Sequence, residues 1–159
     1  MGGRASDDTR GVMRYAISAG ALVLRGCRLL LVHHRGDGYD FWVPPGGRLR
    51  GEESIPECAA RETREETGLC VVPSRIAYVE EFLEGDLHFC KFWLLASDPG
   101  GEVSLGGLDP DEGYVVDVAF VPREALQGLS VFPRILRDSF WTDVETGFPA
   151  TRYLGLERI

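Results

Sequence analysis

Residues 46–69, GGRLRGEESIPECAARETREETGL, restrict what this chain can fold into more than any other stretch. Ser54 followed three residues later by Glu57 forms a capping box, in which hydroxyl and carboxylate satisfy the first free N–H groups of a helix. Pro56 suits the first turn, where its missing N–H would have had no partner. Gly68 supplies the left-handed residue that ends a helix. The spacing therefore predicts a helix over residues 55–67. At ~100° per residue, Ile55, Cys58, Ala59, Glu65 and Glu66 all fall within roughly 60° of Glu62. Glu62, Glu65 and Glu66 thus share the arc with the small apolar residues that must face the core, while Glu57 and Arg64 face solvent. A merely charged helix would carry its acids on the outer side. Three carboxylates turned inward repel one another and lose hydration, so they need a cation. An all-oxygen ligand set suits Mg²⁺, with Mn²⁺ as a substitute, better than zinc.

The rest of the chain reads mainly as strands. Residues 14–24 and 28–34 look like a hairpin with both faces largely buried, closed by the turn at 25–27. Residues 41–43 form a short strand, stopped by Pro44-Pro45-Gly46-Gly47. Residues 70–72 and 75–82, then 87–96, are strands, the last two joined through the turn Glu84-Gly85-Asp86. Residues 97–111 make a long loop expected to border a substrate. A strand over 114–121 leads into a short helix beginning at Pro122, and a further helix is expected around 133–141 before an irregular aromatic tail. Phe140, Trp141 and Phe148 are candidates for the core, for the rim of a site or for a homodimer contact, and the sequence leaves the three open. Residues 1–12 are expected to be a disordered tail and residues 13–159 a single domain.

A net charge of −8 argues against duplex nucleic acid as a partner, since such binders carry a basic patch. It leaves room for a small phosphorylated ligand, because a bound metal reverses the local field. The four cysteines show no metal-binding spacing and fit reduced thiols in a cytoplasmic protein. No apolar run is long enough to span a membrane, so none is expected as a partner. Three residues near the acid helix are candidate substrate contacts. Arg35 and Arg48 could meet phosphate, each with a solvent-facing side chain as the alternative, and Trp42 could stack on a base or lie in the core. His33 and His34, a pair at a strand end, fit a structural role better than a catalytic one.

Gly47, Glu53, Arg61-Glu62, Glu65-Glu66 and Gly68-Leu69, at these spacings, resemble the Nudix box of the Nudix hydrolase superfamily, in its MutT-like form. Thr63 departs from it where the family usually has an apolar residue, and residues 50–52 depart in the loop before the helix. The segment from Asp117 through Phe120, Pro122, Glu124 and Leu126 resembles a second family signature, with Asp117 where many members have glutamate. The resemblance implies an α/β fold: an α/β/α sandwich with a mixed central sheet and a catalytic loop–helix–loop. It implies Mg²⁺-dependent cleavage of a diphosphate bond in a nucleoside diphosphate derivative. Nucleoside triphosphates, damaged ones included, are the first expectation; ADP-ribose, dinucleoside polyphosphates and a non-catalytic nucleotide-sensing role are the alternatives. The implied metal ligands are the Gly46 carbonyl, Glu62, Glu65 and Glu66. Arg61 would orient the acids with Glu53 as its partner. Glu65 ranks first as general base, ahead of Glu62 and the downstream acids Asp111, Glu112 and Asp117.

Overall fold

The computed structural model describes residues 12–105 and 114–159. Along the chain run β1 (Arg14–Arg25), β2 (Arg28–Gly36), β3 (Tyr39–Val43), β4 (Gly46–Arg48), α1 (Ile55–Thr67), β5 (Val72–Glu84), β6 (Leu87–Ser97), β7 (Val115–Pro122), α2 (Phe140–Thr146) and β8 (Arg152–Arg158). Short 3-10 turns occupy Arg123–Gly128 and Arg134–Leu136. Among the described residues, no helix is long and apolar enough to cross a membrane. The expected tail over 1–12 lies outside the described residues apart from exposed Val12.

β1 is the strand on which the others are hung. It pairs in parallel with β6 from Arg14 opposite Leu87 to Val23 opposite Ala96, and antiparallel with β4 through Ser18, Ala19 and Gly20. The expected β1–β2 hairpin is confined to its tip, where Leu24 faces Leu29 and Arg25 faces Arg28. Beyond the tip β2 leaves to run between β3 and β7. The sheet is therefore mixed and curled, in the order β3-β2-β1-β6-β5-β8. Residues 18–23 and 29–33 are buried throughout, as strands covered on both faces must be. Together with α1 and α2 this is the α/β/α sandwich expected from the sequence.

α1 has the expected bounds and the expected caps. The Ser54 and Glu57 side chains close the capping box, and Gly68 adopts φ 77°. One stripe of the helix is buried: Cys58, Ala59, Glu62, Thr63, Glu66 and Thr67. Thr63 departs from the box pattern without leaving a polar atom unsatisfied, since its hydroxyl donates to the Ala59 carbonyl at 2.7 Å. Ser54→Ala should remove about 1 kcal/mol of stability, read as a lower urea midpoint with an unchanged slope. A midpoint equal to wild type would deny the cap its role.

Two expectations need correction near the C-terminus. The helix expected around 133–141 is instead the 3-10 turn Arg134–Leu136 followed by α2, Phe140–Thr146. The Gln127 amide donates to the Arg137 carbonyl at 2.6 Å, so that carbonyl is satisfied outside a helical ladder. The tail is not irregular: residues 152–158 form β8, an edge strand parallel to β5. Phe140, Trp141 and Phe148 are all core. Phe140 and Phe148 pack on Tyr78, whose hydroxyl donates to Asp143 of α2 at 2.6 Å.

Candidate active site

β4 and α1 together build the site. The glycines of β4 let its backbone pass between β1 and the acids of the helix. A Cβ on Gly46 would lie 2.6 Å from the Ala19 carbonyl oxygen, and one on Gly47 would lie 2.4 Å from Glu62 Oε1. No other residue fits either position without displacing backbone or carboxylate. The Gly46 N–H donates to Glu66 Oε2 at 2.8 Å. Glu62 and Glu66 are 3% and 2% exposed, which confirms the inward arc read from the helical wheel. Glu65 is half-buried beside them.

Arg61 ties the acids together. Its Nε and Nη2 donate to Glu53 at 2.9 and 2.6 Å, and its Nη1 donates to Glu62 at 2.7 Å and to Glu65 at 3.0 Å. Its Nη2 also reaches the Arg48 carbonyl at 3.1 Å. The guanidinium holds the Glu53 carboxyl down to about 2. Burial pushes Glu62 up despite Arg61 beside it. Arg50 Nη1 adds a longer contact to Glu65 at 3.4 Å. A pocket of about 370 Å³ opens here, lined by Ser18, Gly46, Gly47, Arg48, Arg50, Glu62, Glu66 and Tyr114.

Among the described residues, no three His, Cys, Asp or Glu side chains already converge as a metal cage. The donor chemistry nonetheless fits a hard divalent cation. Two buried carboxylates and a half-buried third lie beside the glycine strand, Glu66 bonded to its backbone, and the Arg61 guanidinium is shared among Glu53, Glu62 and Glu65. The four free cysteines are scattered rather than clustered, so zinc has no thiolate site among the described residues.

The structure brings some predicted contacts to the site and leaves others away from it. Arg48 lines the pocket. Arg35 lies at the exposed end of β2, where its Nε donates to Asp40 at 3.0 Å. Trp42 stacks on His33 at 4.5 Å and 9°, on the side of β3 away from Phe41 and Val43. Asp117 is exposed on β7, its Oδ1 accepting from the Val118 N–H. Asp111 and Glu112 lie outside the described residues.

Three groups stand closer to the site than the sequence indicated. His34 Nε2 is buried without a hydrogen-bond partner, 4.0 Å from Glu66 Oε1. Desolvation, with Lys91 and His33 nearby, brings its pKa down to about 4 and keeps it neutral. Lys91 is half-buried on β6, within electrostatic reach of Glu66, Glu80 and Glu62, and desolvation lowers it. Glu80 is 7% exposed on β5. The pair His33-His34 gave no sign of which ring would turn toward the acids, since that depends on how β2 lies over α1.

Strand-ending glycines packed against a capped helix with two buried acids bring the residues of the box together. Residues 14–138 match the NUDIX domain, so the chain belongs to the Nudix family. It is 35% identical to the Nudix hydrolase YvcI of Bacillus subtilis over 57 residues, 35% of either chain. It is 32% identical over 84 residues to the 8-oxo-dGDP phosphatase NUDT18 of Danio rerio, covering 53% of this chain and 25% of that protein. The matches thus span about a quarter to a third of these relatives' lengths. The crystal structure of a MutT protein from Methanosarcina mazei superposes with a TM-score of 0.67 at 25% identity, covering 85% of this chain and 96% of that one.

Proposed function

We propose that this chain is a Mg²⁺-dependent pyrophosphohydrolase that cleaves a diphosphate bond in a nucleoside triphosphate, oxidised ones included, giving the monophosphate and pyrophosphate. The observation that carries this reading is the burial of Glu62 and Glu66 against the glycines of β4. Buried carboxylates are costly for stability and are kept where they do chemistry. The 8-oxo-dGDP phosphatase named among the relatives favours a nucleotide substrate. The four unpaired thiols suit the cytoplasm.

In this reading the diphosphate occupies the pocket beside β4, where Arg48 and Arg50 supply positive charge. Glu62, Glu65, Glu66 and the Gly46 carbonyl would hold Mg²⁺. When bound, the ion neutralises phosphate charge and acidifies water. Glu65, half-exposed and the most accessible of the three acids, accepts the proton of the attacking water. Arg61 fixes the rotamers of Glu62 and Glu65 through its shared Nη1. Arg35 and Trp42 remain candidates only for parts of a substrate that extend beyond this pocket.

The test is pyrophosphate and phosphate release over a panel of nucleoside triphosphates, oxidised nucleotides, ADP-ribose and dinucleoside polyphosphates, with Mg²⁺ and with chelator. Release from triphosphates that stops on chelation is expected. Preference for ADP-ribose or a dinucleoside polyphosphate would replace the substrate, and tight binding without hydrolysis would make the chain a sensor.

A further inference from the structure

A second cleft, of about 450 Å³, lies next to the box pocket, between the face of β5 and β6 and the strand β3. Its walls are aromatic. Phe82 and Phe89, opposite each other across the two strands, stack at 4.8 Å and 16°. Phe41 meets Phe132 edge-on at 5.6 Å on the other side. A slot of this kind takes a flat ring.

Three charged side chains line this cleft among the described residues: Glu157 of β8, and Glu80 of β5 with Lys91 of β6, which are cross-strand partners. Glu80 is more than nine-tenths buried, and its one hydrogen bond is from the Trp93 indole N–H to Oε2 at 3.2 Å. Its Oε1 accepts nothing from the described residues. Lys91 Nζ stands 4.4 Å above the Trp93 ring and makes no ion pair within 4.0 Å among the described residues. Burial disfavours the charge on both groups, pushing Glu80 up and Lys91 down. An acid and an amine side by side, each short of partners in an apolar slot, weaken the fold unless something binds them.

Their position relative to the box follows from strand register. Arg48, Ser18, Lys91 and Glu80 are successive neighbours across β4, β1, β6 and β5. Ser18 and Arg48 line the box pocket. With strands ~4.8 Å apart, Glu80 and Ser18 are separated by roughly 10 Å, the scale of a nucleoside lying across the sheet.

Resting on the hydrolase reading, we propose that Glu80 and Lys91 read the base of the substrate, and that this base is a guanine-type purine. The carboxylate offers two acceptor oxygens and the ammonium one donor beside them. Guanine presents the matching edge: N1–H and the 2-amino group as adjacent donors, then O6 as acceptor. Adenine and cytosine offer the carboxylate one donor, and uracil sets a carbonyl against it. Phe82 and Phe89 supply the stacking surface and carry no preference of their own.

The test is calorimetric titration of the full chain with GMP, IMP and AMP in the presence of chelator, so that turnover plays no part. GMP should bind at least about tenfold more tightly than AMP, with IMP, which lacks the 2-amino group, in between. Glu80→Gln should weaken GMP about tenfold and AMP much less, with an unchanged circular dichroism spectrum. Lys91→Met gives a second reading that leaves the acid in place, and it should also weaken GMP more than AMP. Equal affinity for GMP and AMP, no GMP binding at millimolar concentration, or variants that weaken both nucleotides alike would each overturn the proposal. Selective GMP binding with no hydrolysis of any nucleotide would sink the hydrolase reading alone; hydrolysis without base selectivity would sink this one alone.

Discussion

Glu66→Gln should lower Mg²⁺-dependent turnover about a thousandfold, which is about 4 kcal/mol of barrier, while the fold survives. The two halves of this expectation come from different atoms. Glu66 Oε2 accepts the Gly46 N–H at 2.8 Å, and the amide oxygen of glutamine can accept the same bond. The backbone of β4 therefore keeps its anchor. What the substitution removes is one negative charge from a group that is 2% exposed and has little water to replace it. A hard cation held by carboxylates loses affinity sharply when one becomes an amide. Turnover at saturating Mg²⁺, metal affinity by titration and the thermal midpoint check the three parts separately. Near wild-type turnover with an unchanged metal requirement would show that Glu66 does not hold the ion.

Much of this site was legible because its signals are local. The capping box, Pro56 and Gly68 fix both ends of α1 within the sequence of the helix itself, and once the ends are fixed the wheel decides which acids turn inward. The Arg61–Glu53 pair was expected from the resemblance to the Nudix box, and the structure shows it. Glu80 and Lys91 were not legible, because the sequence YVEEF does not say which of two consecutive glutamates faces inward. That depends on the register of β5 against β6, which slips at irregularities between Pro73 and Tyr78. β8 escaped for a related reason: it has no fully buried residue, and Gly155 at φ 105° interrupts its alternation. The β1–β2 hairpin was overread because adjacent strands in sequence usually pair in space, whereas here β6 takes most of β1 by long-range parallel pairing.

Arg61→Ala should cost about 3 kcal/mol of stability near pH 7, and this cost should shrink as the solution is acidified. Arg61 donates to Glu62 at 2.7 Å, and Glu62 is 3% exposed. Removing the guanidinium leaves that carboxylate buried and uncompensated, which sets the magnitude; Glu53 and Glu65 have some access to water and contribute less. The pH dependence has a definite sign. Arg61 holds Glu53 at about 2 against an ordinary 4.5. An acid depressed on folding contributes stability that is complete above pH 4.5 and is lost as pH falls from 4.5 toward 2. Burial raises Glu62, so its charge opposes folding and protonation relieves that cost. Both effects narrow the gap between wild type and variant in acid. Urea unfolding of the two proteins near pH 7 and about pH 3 measures it directly. A gap of equal size at both would mean that the guanidinium acts through packing alone. Arg61→Lys distinguishes further: a single ammonium cannot reach Glu53, Glu62 and Glu65 together, so it should restore little of the stability or the turnover.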